Sequence, residues 1–151
     1  MAYIGGIVTG FYLFASAPGI HKKKKWQHLT GWDYAHRGLY DNEHGIPENS
    51  MAAFRRAVDK GYGIELDVHL TADNQLVVFH DDTLTRMCGM NKKISSFLYS
   101  DLMQLRLLGT EEGIPLFKDV LELIDGKVPL IIELKVDGSN QNLLCPLVWQ
   151  L

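Results

Sequence analysis

Gly63-Ile64-Glu65-Leu66-Asp67-Val68-His69-Leu70 is the stretch on which the reading of this chain turns. Side chains alternate along an extended strand, so Glu65, Asp67 and His69 share one face and Ile64, Leu66, Val68 and Leu70 the other. Two carboxylates about 4 Å apart, looking into a plain apolar core, repel by about 4 kcal/mol at an effective dielectric near ~20. Something positive belongs between them. A hard divalent cation, Mg²⁺ or Ca²⁺, takes oxygen ligands from carboxylates and meets that need. The simpler reading is an acidic strand facing solvent on a half-exposed sheet. The rest of the chain decides between the two.

Upstream, Trp32 to His36 reads as a brief strand ending in His36-Arg37-Gly38, followed by a polar loop from Leu39 to Asn49. Ser50 is a good N-cap for a helix that carries Met51, Phe54 and Val58 on one side and closes at Gly61. Downstream, a turn at Asp73-Asn74 leads into an apolar strand, Gln75 to Phe79, ending at His80, and then a long connection from Asp81 to Phe97. Ser100 is expected to cap a second helix with Leu102, Leu105 and Leu108 on one side and Gly109 after it. Pro115 is expected to open a third, in which Leu116, Val120, Leu123 and Ile124 share a face before Asp125-Gly126. Val128 to Lys135 reads as a strand, and Asn142 to Leu151 as the opening of a further helix.

This alternation predicts an α/β fold with a largely parallel sheet. Polar residues fall at the strand ends: His36 and Arg37, Glu65 and Asp67, His80 and Asp81, Glu133 and Lys135. Such groups converge on one mouth in a TIM-like (β/α)₈ barrel. A barrel of that kind takes roughly 250 residues, so the expectation is its N-terminal half.

The 151 residues, 46% hydrophobic and 22% charged, allow one ordinary domain plus an N-terminal segment. A formal charge of -3 offers no electrostatic case for nucleic acid. Cys88 and Cys145 stand far apart and indicate neither a disulfide framework nor a zinc site. Ala2 to Ile20 carries no charged side chain and is long enough to span a bilayer; Lys22 to Lys25 and Trp26 follow at once. Residues 1–25 are therefore read as a membrane anchor with its basic flank, which the positive-inside rule places with the following part in the cytoplasm. A cleaved signal peptide competes through Ala15-Ser16-Ala17, against which stand Pro18 and the missing basic start. Residues 26–32 form a linker and 33–151 the half-barrel. No motif specifies an oligomeric state.

Taken singly, His36 and His80 read as hydrogen-bonded strand-end residues, Asp81 as a turn cap, and Glu133 with Lys135 as a surface ion pair worth about 0 to 1 kcal/mol. His69 lies further along the acidic face and suits a supporting role; His21, His28 and His44 read as solvated surface. Taken together, the pieces ask for one explanation. Three carboxylates from two strands, Glu65, Asp67 and Glu133, can hold a divalent cation. Two histidines can serve as general base and acid, and Arg37 and Lys135 can hold an anion. That is the equipment for cleaving a phosphodiester.

His36-Arg37-Gly38, Pro47-Glu48-Asn49-Ser50, Glu65-Leu66-Asp67, His80-Asp81-Asp82-Thr83-Leu84 and Glu133-Leu134-Lys135 occur in an order and spacing that resemble the glycerophosphodiester phosphodiesterase family. The resemblance implies a TIM-like barrel that hydrolyses glycerophosphodiesters to glycerol 3-phosphate and an alcohol. It also implies His36 and His80 as the acid/base pair and Glu65, Asp67 and Glu133 as ligands of Mg²⁺ or Ca²⁺. Arg37, Glu48 and Lys135 would hold the phosphate or brace the site. The mechanism it implies is attack by the substrate's own glycerol hydroxyl, giving a cyclic phosphate that water opens. Two further readings stand beside it: an inactive, membrane-tethered remnant of such an enzyme, or a phospholipase D-like enzyme acting on lysophospholipid or sphingomyelin.

Overall fold

The computed structural model describes residues 27–138 and 140–151, and the expected anchor lies outside them. Among the described residues no helix is long and apolar enough to cross a membrane. In chain order the elements are β1 (Tyr34–His36), α1 (Met51–Asp59), β2 (Gly63–Leu70), β3 (Leu76–Val78), α2 (Thr85–Cys88), α3 (Tyr99–Leu102), α4 (Phe117–Ile124), β4 (Leu130–Leu134) and α5 (Gln141–Trp149). Single 3₁₀ turns occur at Asn42–His44, Ile94–Ser96 and Leu107–Gly109.

β2 is the centre of the sheet. β1 runs parallel to its first half, with His36 opposite Glu65, and β4 runs parallel along its other edge, with Glu133 opposite Asp67. β3 is antiparallel to its second half, with Val78 opposite Val68. That strand departs from a parallel arrangement for a simple reason: the short Thr71–Gln75 turn closes a hairpin, whereas a parallel return needs a crossover of a dozen or more residues. Backbone groups of Gly63 and Glu65 bond towards β1 and those of Asp67 and Thr71 towards β3, while Ile64 and Val68 bond towards β4. β1 and β3 therefore share one edge of β2. Their C-terminal ends meet head-on beside Glu65 and Asp67, where Arg37 N–H bonds Glu65 O and Phe79 N–H bonds Asp67 O.

The even face of β2 holds the fold together. Ile64, Leu66 and Val68 are fully buried against Phe54 of α1, Phe117, Val120 and Ile124 of α4 and Leu144 of α5. Each such side chain contributes about 1.5–3 kcal/mol. α1 begins as its sequence demands: Ser50 Oγ accepts from Ala53 N–H at 3.1 Å, and Gly61 follows with φ +72°.

The second predicted helix is not continuous. α3 is one turn with Ser100 inside it, and the chain then breaks, Leu108 sitting at φ 52° and 41% exposed. Leu107 instead joins a second core with Val77, Phe79, Leu84, Met87, Ile94, Leu102 and Ile114. Burying Leu102 and Leu107 together, five residues apart, is incompatible with one helical stripe. The same core gives α2 and the Ile94–Ser96 turn to the stretch read as a plain connection. Pro115 and Leu116 precede α4, Leu116 occupying its N-cap position.

Candidate active site

The site is assembled where β1 and β3 meet on the edge of β2. Arg37 leaves β1 in the left-handed region, φ 60°, and Gly38 follows at φ +79°. A side chain at Gly38 is doubly excluded, because a Cβ there would lie 2.9 Å from Ala53 Cβ. The loop returns at Glu48 and Asn49, both buried, and Asn49 N–H donates to Arg37 O at 2.9 Å. Asn49 also takes a left-handed φ of 55°, and its Nδ2 donates to Asp67 Oδ2 at 2.9 Å.

Glu65, Asp67 and Glu133 come together as the sequence indicates: one carboxylate oxygen from each lies within 4.8 Å of the others. Asp67 is 1% exposed, and its Oδ1 accepts no hydrogen bond. Lys135 Nζ lies 2.9 Å from that oxygen, an ion-pair contact without hydrogen-bond alignment, and 2.6 Å from Glu133 Oε1. Burial pushes the Glu65 carboxyl above its ordinary range, and the neighbouring Asp67 charge adds to the push. Burial opposes the charge on Lys135, but its contacts with Glu133 and Asp67 prevail and raise its pKa.

A pair of carboxylates lies beside this cluster of three. Glu48 accepts from Arg37 Nη1 at 2.8 Å and from Arg86 Nη1 and Nη2 at 2.8 and 2.7 Å. Asp81 accepts from Arg86 Nε and Nη2 at 2.8 and 2.9 Å. Burial pushes Glu48 up, yet the Arg86 and Arg37 bonds overrule it and hold the carboxyl at about 2; Arg86, against burial and with help from His80, holds Asp81 at about 2. The role of turn cap does not describe Asp81, whose carboxylate faces Arg86 and His80.

The two histidines stand in different settings. His36 is largely exposed, with Nε2 3.7 Å from Glu65 Oε2. His80 Nδ1 lies 2.6 Å from Asp81 Oδ1. Since Asp81 is ionised and can only accept, that nitrogen carries the proton and neutral His80 presents Nε2 as its acceptor. His69 is buried, which lowers its pKa, and its Nε2 lies 3.3 Å from His80 O. A carbonyl only accepts, so His69 donates from Nε2 and pins the His80 backbone. His44 is exposed and pairs with Asp41, and His28 is exposed.

Sequence reasoning missed Arg86 and gave Asn49 no role. Neither has a signal in local periodicity, because Glu48, which Arg86 joins to Asp81, lies 38 residues from it, and Asp67 lies 18 residues from Asn49. In charge terms, Glu48, Glu65, Asp67, Asp81 and Glu133 face Arg37, Arg86 and Lys135, leaving a surplus of two negative charges. That surplus, the clustered oxygens and the unbonded Asp67 Oδ1 fit a divalent cation held by Glu65, Asp67 and Glu133.

Comparison with known proteins gives a consistent result. Residues 36–148 match the model of the glycerophosphoryl diester phosphodiesterase family. A lysophospholipase D of Rattus norvegicus is 34% identical over 165 residues, covering 100% of this chain and 50% of that protein. A glycerophosphodiester phosphodiesterase of Bacillus altitudinis is 37% identical over 113 residues, covering 70% and 45%. Among solved structures, an Oleispira antarctica phosphodiesterase in complex with the product sn-glycerol-3-phosphate aligns with a TM-score of 0.72 at 28% identity, over 81% of this chain and 51% of that one. A glycerophosphodiester phosphodiesterase of Parabacteroides distasonis aligns at 0.67 and 35%, over 79% and 49%. The chain spans about half the length of the relatives it matches.

Proposed function

The chain belongs to the glycerophosphoryl diester phosphodiesterase family, as part of its TIM-like barrel, and on that premise we propose that its site hydrolyses glycerophosphodiesters to glycerol 3-phosphate and an alcohol. What supports the reading is the three-carboxylate cluster on β2 beside which the strand ends carrying His36 and His80 meet. Glu65, Asp67 and Glu133 hold a divalent cation, Mg²⁺ or Ca²⁺. When bound, that cation supplies polarisation of phosphoryl oxygen and neutralisation of the surplus charge.

The chain's own groups do the rest. Arg37, whose guanidinium makes a single hydrogen bond among the described residues, from Nη1 to Glu48, keeps its Nη2 hydrogens for a phosphate oxygen. Lys135 adds a second positive charge on the same face. His80, with Nδ1 committed to Asp81, moves a proton at Nε2; His36 moves the other at its exposed ring. One imidazole takes the proton of the attacking glycerol hydroxyl and the other gives one to the departing alkoxide, each worth about 10²–10⁴-fold; water then opens the cyclic phosphate with the two proton transfers reversed, leaving glycerol 3-phosphate.

The test is release of glycerol 3-phosphate by the full chain from water-soluble glycerophosphodiesters, with Mg²⁺, with Ca²⁺ and with chelator. Release that depends on the cation and disappears in a Glu65→Gln, Asp67→Asn variant supports the assignment; cation-independent release overturns the metal role. A lysophospholipid arm belongs in the assay because relatives that match the whole chain bear the name lysophospholipase D. A lysophospholipid is itself a glycerophosphodiester with one acyl chain, so the chemistry is unchanged and only the tail contact differs. Attachment to a bilayer through residues 2–20 is part of the same reading, and flotation of the full chain with lipid vesicles tests it.

A further inference from the structure

Arg86 is the best-connected side chain near the site, and all of its hydrogens are spoken for. A guanidinium has five N–H donors. Nε and Nη2 reach Asp81, Nη2 and Nη1 reach Glu48, and Nη1 also contacts Met87 Sδ at 3.1 Å. No donor is left for a phosphate. Arg37 is the opposite case, with one hydrogen bond, to Glu48, and only a looser 3.7 Å ion-pair contact from Nε to Asp67. The two arginines therefore do different work although they share a carboxylate.

The shared carboxylate makes Arg86 a link. Glu48 lies on the loop between β1 and α1 that also presents Arg37, and Asp81 directly follows His80 after β3. With one guanidinium gripping both, the chain of contacts runs from His80 through Asp81, Arg86 and Glu48 to Arg37. Without it, two carboxylates held within reach of one guanidinium would repel, and the loops carrying His80 and Arg37 would part.

We propose that Arg86 is a positioning residue for phosphodiester cleavage: it ties the loop bearing His80 to the loop bearing Arg37 and, through Asp81, keeps the proton of neutral His80 on Nδ1. The proposal rests on the functional reading above. It requires two bidentate grips at once, which a lysine ammonium cannot supply.

The experiment compares Arg86→Gln and Arg86→Lys, each alone and combined with His80→Ala, in the full chain with Mg²⁺ and with Ca²⁺. Arg86→Gln lowers kcat for glycerol 3-phosphate release by about 10–100-fold, the size of effect seen when groups that orient a catalytic side chain are removed, and Arg86→Lys recovers only a minor part. In the His80→Ala background the same substitution costs several-fold less than in wild type, since one of the two groups it positions is gone. An equal loss in both backgrounds, or full recovery by lysine, overturns the proposal. Nitrogen-15 NMR of His80 gives a readout independent of turnover: wild type shows the Nδ1–H form, and Arg86→Gln shifts it towards Nε2–H. If the wild type releases no product, the functional reading fails, while the NMR comparison still decides whether Arg86 sets the His80 tautomer. Should Arg86→Gln not fold, Arg86→Lys carries both readouts, and a wild-type tautomer with wild-type kcat in that variant overturns the idea.

Discussion

The two carboxylate groups of the site are neighbours with opposite electrostatics. Glu48 and Asp81 are saturated: Arg37 and Arg86 reach them through short bonds, and their carboxyls are held at about 2. Glu65, Asp67 and Glu133 are not: Glu65 is pushed up, and a buried oxygen of Asp67 has no hydrogen bond. A satisfied network stabilises and positions, whereas an unsatisfied one costs stability until a ligand completes it. The difference marks the first pair as scaffold and the three-carboxylate cluster as the candidate reaction centre without reference to any relative.

Substitutions at the reaction centre give the largest effect. His80→Ala, or Asp67→Asn, should reduce glycerol 3-phosphate release by about 10²–10⁴-fold with melting temperature nearly unchanged; a loss that tracks unfolding would erase the contrast between the two groups. Next, Mg²⁺ or Ca²⁺ at about a hundred times its dissociation constant should stabilise the fold by ~2.7 kcal/mol, read by thermal denaturation, and Glu65→Gln with Asp67→Asn should abolish that gain while Glu48→Gln should not.

Acid distinguishes the groups more finely. Glu48 and Asp81 have folded values near 2, below ordinary values of 4.5 and 3.8. Their contribution is thus fully present above pH ~4.5 and is lost as pH falls towards 2. It should show in urea melts as a loss of stability between pH ~4.5 and ~2 and vanish in Glu48→Gln, Asp81→Asn. Glu65 has the opposite sign, since its raised value means that ionisation weakens the fold and protonation relieves it. The smallest effect follows: in chelator, Glu65→Gln should raise stability slightly, and a decrease would show that the acidic cluster is already neutralised by Lys135.

Much of this arrangement is legible along the chain. Alternation in β2 predicted which residues face the core and which the site, and Ser50 announced the start of α1. The five motifs contained every member of the three-carboxylate cluster and both histidines. Other features are not legible. Leu102, Leu105 and Leu108 have helical spacing, yet the second core takes Leu107 and leaves Leu108 exposed, and the helix stops. Asp81 read as a turn cap because Arg86, its partner, lies in a one-turn helix with no periodic signal of its own.

By itself, then, the sequence determined what is local: the parity of β2, the capping of α1, and the residue types that the chemistry needs. These follow from backbone geometry within a few residues. Only the tertiary structure decided that β1 and β3 approach β2 from opposite directions and end at the same place, which sets the strand ends carrying His36 and His80 beside Glu65 and Asp67. It alone joined Glu48 to Arg86 across 38 residues. The physical reason is that a hairpin's return and a guanidinium's reach are set by which surfaces pack, and packing is a property of the whole chain rather than of any stretch of it.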